Sequence, residues 1–474
     1  MYWQISKDFL SLFTRSNCQD NHFDPIDGFR SIASLLITSL HIVGIFSTLL
    51  LPYPNIEWQT FLHSAAFALI NLMSFSLEIF FMLSGFLLTY KLISKWNRKR
   101  LNYEDFLVKE YPLLVMKRVF RFWPGFLLVT LILLIFGEPL YPNANYLIEF
   151  LRNCNLWLFF QNYINTDYWY FTFSPLWSIS LDMQIHVLLP LFLYLFYSKQ
   201  KYLSMNKSLL ILVLLSIVQV MIVFNPQTMS IASIGHRYSS FRVLSSPFLN
   251  QWLETKYNLT KFSPTSELIP LKLFMENVYL PLGCRFGSFI IGSILAIKIF
   301  QCQSKSYPNQ KSKWQIMKKY LFFGMISFHL LSLLQTADVP PNPPDIFLKF
   351  LIGISRQLFT IGQAFLLFAA LCPQTHPYHS SRLKTFLSAR FWIPISKLSY
   401  FTYLIHIRIA FQLIVHGPLR LFKTYSITYA TLLTLPIVLL LSQVISTIWF
   451  VFIDKPIERF INEQFLQHRT TKSI

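Results

Sequence analysis

The sequence predicts an all-α membrane protein, a polytopic bundle of about ten transmembrane helices with both termini in the cytoplasm. Three observations predict it. The 474-residue chain is 54% hydrophobic and 17% aromatic but only 13% charged, a balance outside that of soluble domains. Its apolar runs are long and unbroken, and in lipid such runs satisfy their backbone groups by forming helices. Its 41 Lys and Arg collect in alternate connecting segments, as the positive-inside rule requires.

In chain order the expected spans cover about 31–51, 72–90, 119–137, 175–197, 208–224, 281–300, 320–336, 348–372, 395–416 and 426–453. The segments 1–30, 91–122, 199–207, 298–320, 373–394 and 454–474 hold 28 Lys and Arg, against 8 in 137–174, 225–279, 337–347 and 417–425. The formal net charge of +20 therefore reports topology, with attraction to anionic lipid headgroups as a second effect. It does not indicate a nucleic-acid partner, because the basic residues do not interleave with aromatics on a soluble face. No internal repeat divides the chain. Residues 1–474 read as a single transmembrane domain, with 225–279 as an extracytoplasmic loop and no appended soluble domain.

The first 30 residues carry Asp8, Asp20, Asp24 and Asp27 instead of a basic start and a short apolar core, so no cleavable signal peptide is expected. Five scattered cysteines give no disulfide framework. The tripeptide Asn258-Leu259-Thr260 falls in the long outer loop and is open to glycosylation, whereas Asn206-Lys207-Ser208 falls on the cytoplasmic side.

Ionisable groups inside a bilayer cost several kcal/mol unless they face a bundle interior or a wet cavity, so they mark functional sites. Arg30 and His41 are eleven residues apart in the first span and return to nearly the same helix face, about 16 Å apart along the axis. An arginine at the membrane surface thus has a histidine above it near the midplane. In the second span Glu78 stands about 20 Å along the helix from Lys91, which predicts a midplane carboxylate. Ser84 and Gly85 permit a close backbone approach, either to a ligand or to a crossing helix. At the third span Arg118 and Arg121 share a face, as a fork for phosphates or as a positive-inside anchor. Asp182 and His186, one turn apart in the fourth span, can pair with each other or lock two helices. In the ninth span Ser399, Tyr403 and His406 form one stripe, open to a packing or a catalytic reading. His63, His186, His329, His406 and His416 lack zinc-ligand spacing, and neither a nucleophile elbow nor a phosphate-binding glycine loop is present. No metal or resident cofactor is expected.

Taken together and in order, these segments resemble the acyltransferase-3 superfamily of membrane proteins, most closely its animal branch named for nose resistance to fluoxetine. The resemblance rests on Asp27, Gly28, Arg30 and His41, on Glu78 to Leu87, on Arg118, Arg121 and Pro124, on Trp177 to Gln184, on Leu398 to His406, and on Asp454 to Arg459. It implies transfer of an acyl group from cytosolic acyl-CoA, acetyl-CoA in the first instance, to an acceptor lipid, glycan or small molecule. His41 would be the catalytic base or acyl relay, oriented by Glu78 or Asp182. Arg30, Arg118 and Arg121 would hold the CoA phosphates, and Ser84, Gly85, Trp177, Tyr403 and His406 would contact substrate. Animal members often carry a cysteine-rich luminal domain before the bundle, so a separate acceptor-docking protein is a further expected partner. The plasma membrane and the endoplasmic reticulum are equally open. The competing reading is a transporter of lipids or hydrophobic small molecules, since buried charges also serve carriers, although the paired broken helices and repeat symmetry of many carriers are not evident.

Overall fold

A computed structural model describes residues 2–15, 23–50, 73, 75–98, 105–136, 158–163, 176–199, 202–224, 275–303, 345–419 and 427–470. Its principal helices are α1 (Tyr2–Leu10), α2 (Pro25–Leu50), α3 (Ser76–Arg98), α4 (Tyr111–Phe136), α5 (Leu176–Lys199) and α6 (Tyr202–Val223). They continue with α7 (Leu282–Gln303), α8 (Asp345–Leu371), α9 (Ser381–Leu387), α10 (Trp392–Phe411), α11 (Ile427–Trp449) and α12 (Lys455–Thr470). Short π-helical turns at Asp105–Glu110, Met275–Tyr279, Gln412–His416 and Phe450–Asp454 border α4, α7, α10 and both α11 and α12, respectively.

The protein is all-helical among the described residues, and seven of its helices are long and apolar enough to cross a membrane. Helices stand at nine of the ten expected span positions; the expected span 320–336 and the sequon at Asn258 lie outside the described residues. Two boundaries differ from expectation in ways that move functional groups. Helix α4 begins at Tyr111, with Pro112 in its first turn where the missing N–H is of no consequence, so Arg118 and Arg121 lie two to three turns inside the helix instead of at its mouth. Helix α3 begins at Ser76, which puts Glu78 in its first turn and not midway along it. A carboxylate there faces the positive end of the helix dipole.

The most extensive helix pair is α3 on α7, and it explains Gly85. A Cβ at Gly85 would collide with the carbonyl of Phe289, and one at Gly292 would collide with the carbonyl of Met82. The two glycines let the backbones touch, and Thr89 Oγ1 donates to Ser293 Oγ at 2.8 Å along the same seam. Gly85 is therefore the crossing glycine of the two readings open at sequence level. Helix α2 packs against α10 and α11 as well as against α3. One continuous apolar core joins Phe81, Phe86 and Phe289 to Phe359 and Phe401.

The two chain ends are tied together. Arg459 of α12 donates from one nitrogen to both carboxylate oxygens of Asp8 in α1, at 2.6 and 2.7 Å. Lys397 Nζ donates to the carbonyls of Ser11 and Thr14 at 2.5 Å each, and Arg15 donates to the carbonyl of Ser388 at 2.6 Å. Phe9, Leu10 and Phe13 stay exposed beside this clasp.

Candidate active site

A cavity of about 680 Å³ opens between α2, α3, α4, α5, α10 and the first turns of α12. It runs about 20 Å along α3, from Lys91 at one end to Leu77 at the other. The helices bring to its walls Arg30, Arg118, Arg121, Ser84, Asp182 and Tyr403, six of the residues expected to act together. Lys91, Lys117, Lys397 and Lys455 add positive charge to the lining, and Asp454 and Glu458 add negative charge.

The arginines divide into two kinds. Arg118 is held: its Nε donates to Asp182 Oδ2 at 3.1 Å, its Nη2 bonds the same oxygen, and its plane lies 4.6 Å over the ring of Phe122. Ser84 Oγ donates to the other carboxylate oxygen, and His186 Nδ1 donates to the Asp182 carbonyl at 3.0 Å. Asp182 thus has both oxygens committed to α3 and α4, which joins three helices around one carboxylate. Arg30 and Arg121 make no hydrogen bond or ion pair among the described residues, so their guanidinium groups face the cavity uncompensated by direct contact.

At the Leu77 end the cavity closes on a hydroxyl pair, Ser178 Oγ and Tyr403 OH at 2.8 Å. One turn beyond Tyr403 on α10 is His406, whose ring centroid is 5.8 Å from that of the tyrosine. His406 Nε2 lies 2.7 Å from His41 Nδ1, and the two rings stack at 18° with centroids 5.0 Å apart. His406 is fully buried and His41 partly so; neither lines the cavity, whose wall ends at Tyr403.

The carboxylate expected beside His41 is not there. Asp182 serves Arg118 and Ser84, and Glu78 belongs to a second, fully buried cluster. Glu78 Oε1 is ion-paired to Arg285 Nη1, and its Oε2 accepts from Ser288 Oγ at 2.6 Å. Arg285 Nε donates to the Tyr279 carbonyl at 2.7 Å, while the guanidinium lies 4.0 Å over the Tyr279 ring and 5.2 Å from that of Trp177. Trp177, expected to touch substrate, is therefore a wall of this cluster and not of the cavity. Arg356 joins it, donating to the Val278 carbonyl at 3.3 Å. Sequence reading missed Arg285 and Arg356, although an arginine in each of two apolar spans was as strong a signal as Glu78 and supplies the partner that Glu78 needed.

With this geometry in place, comparison with known families is decisive: the acyltransferase-3 family model, described as an acyltransferase domain, matches residues 24–453. The chain belongs to that family. Neither the curated proteins nor the solved structures compared contain a match. The acyltransferase-3 match runs from the residue before α2 into the π-turn after α11, so it takes in the Arg30, Arg118, Asp182 and Tyr403 walls and both histidines, leaving out only Asp454 and α12 among the cavity walls. The chain is thus a multi-pass membrane protein of a family that transfers acyl groups.

Proposed function

We propose that this acyltransferase-3 protein moves an acyl group from cytosolic acyl-CoA, with acetyl-CoA as the first donor to test, to a hydroxyl or amine of a lipid, glycan or small molecule at the membrane. The observation that carries the reading is the polarity of the cavity. Its wall holds two arginines without a direct partner, Arg30 and Arg121, suited to bidentate contact with phosphates. Toward Leu77 its wall carries Phe80, Phe81, Ser178 and Tyr403, the last next to His406 of the histidine pair. A ligand with a phosphorylated head and a long arm would thread this length and present a thioester near the histidines.

In this reading Arg30 and Arg121 grip phosphate, while Arg118 and Asp182 hold the cavity open between α4 and α5. His41 removes the acceptor proton as the acceptor oxygen or nitrogen attacks the thioester carbonyl. The arginine end faces the cytoplasm, as do both termini of a ten-span bundle comprising one domain, and the acceptor approaches from the membrane or the far side. Membership of the nose-resistance-to-fluoxetine branch, a docking protein for the acceptor, and residence in the plasma membrane or endoplasmic reticulum are parts of the same proposal.

Orientation is tested first. In microsomes a glycan should be added at Asn258 and not at Asn206, and tags at both ends should resist external protease; a glycan at Asn206 would reverse the donor side. Donor binding follows. With purified protein, Arg30→Gln or Arg121→Gln should weaken acyl-CoA binding about ten- to hundred-fold, the equivalent of one charge-assisted hydrogen bond at about 1.5–3 kcal/mol. Salt should reproduce part of that loss, since recessed charges are only partly screened. Unaltered binding in both folded variants would return these residues to an anchoring role.

A further inference from the structure

We infer that His406 is a positioning residue that fixes the tautomer of His41, leaving His41 Nε2 as the proton-accepting atom. The inference deepens the acyltransferase reading and rests on it for the identity of the reaction.

A carbonyl oxygen only accepts. His406 Nδ1 lies 3.0 Å from the Thr402 carbonyl, so Nδ1 carries a hydrogen and donates it. No carboxylate contacts either ring among the described residues, and burial without a counter-charge favours the neutral form. A neutral imidazole with its hydrogen on Nδ1 has a lone pair on Nε2. His41 Nδ1, 2.7 Å away, must then donate to it. The remaining nitrogen of His41, Nε2, carries the lone pair. Thr402 is itself braced to α11, because its hydroxyl lies 3.0 Å from Ser446 Oγ and accepts from Gln443 Nε2 at 3.2 Å. The chain of bonds thus runs from α11 through Thr402 on α10 to His406 and to His41 on α2.

The arrangement does more than choose an atom. When a hydroxyl acceptor attacks the thioester, a C–O bond forms, the C–S bond breaks, and the acceptor proton moves to His41 Nε2. The imidazolium so formed strengthens its Nδ1–H bond to His406 Nε2, which carries part of the charge toward the Thr402 carbonyl. The departing thiolate then takes the proton from Nε2, so ester and free thiol leave and the pair returns to its starting state. A carboxylate beside the catalytic histidine does the orienting in many hydrolases; a second histidine does it here without placing a fixed negative charge in the bundle.

The test is spectroscopic and needs no substrate. Full-length protein labelled with ¹⁵N-histidine in detergent is read by two-bond ¹H–¹⁵N correlation, and the His41 pattern among the eleven histidines is assigned by its disappearance in His41→Gln. The expected result is His41 protonated at Nδ1 and bare at Nε2. His406→Gln, whose amide oxygen accepts the same bond, should keep that pattern, whereas His406→Leu should shift His41 toward the Nε2–H form that free imidazole side chains prefer. Acyl transfer should fall at least tenfold in His406→Leu and recover most of the loss in His406→Gln, the order a merely packing side chain does not give. Wild-type His41 protonated at Nε2, or a pattern indifferent to His406→Leu, overturns the inference. If the leucine variant does not fold, the wild-type and glutamine spectra decide alone. Absence of acyl transfer by the wild-type protein would count against the proposed function, while the spectra still judge the tautomer.

Discussion

His41→Gln is expected to lose acyl transfer by roughly two to four orders of magnitude while thermal stability and donor binding stay close to wild type. Glutamine keeps size and polarity, so its amide still meets His406, but it offers no basic nitrogen, and general-base assistance is worth about that factor. The position of the two histidines sharpens the expectation. His41 lies beyond the cavity wall, past Tyr403 and His406, so its loss should leave the phosphate end untouched. The measurement is acyl transfer, or acyl-CoA hydrolysis while the acceptor is unidentified, set beside melting in the same detergent. Near-normal turnover would remove His41 from the chemistry and raise a transporter to first place.

The second large effect separates stability from catalysis. Glu78→Gln leaves Arg285 buried with its charge uncompensated, and breaking one partner of a buried pair costs about 3–5 kcal/mol. The variant should lose much of its folded yield, read as monodisperse protein surviving a heat step. Replacing both residues with leucine should recover part of that loss, because removing a buried pair together is often close to neutral. A Glu78→Gln protein that melts normally but fails to turn over would instead put Glu78 in the reaction.

Much of the bundle was written in the apolar runs. Their length needed no tertiary knowledge to give helices, and one unbroken helix, α2, carries both Arg30 and His41. Pairing between helices was less legible. Asp182 and Glu78 both looked available to His41, since periodicity gives the face of a residue but not its opposite number. Arg118 and Arg285 decided the matter by proximity, each bringing a charge from another helix. Gly85 was read as permissive; what it permits, the carbonyl of Phe289, lies some two hundred residues later in the chain. His406 was expected at the substrate and stands instead outside the cavity, bonded to His41, a placement invisible in the stripe that holds both it and Tyr403.

The clasp between Asp8 and Arg459 also bears on how the molecule is made. Asp8 and Arg459 stand 451 residues apart, so a buried acid on α1 meets this partner only once α12 has been made. Until then the segment that begins with α1 is held by Lys397 and by Leu12 against Leu398 and Phe450, and the cavity lacks the wall that α12 supplies. Such a contact, maximal in sequence separation, forms late in assembly. Chains cut short before α12 would therefore keep Asp8 with Gln4 alone and leave the cavity without one of its walls.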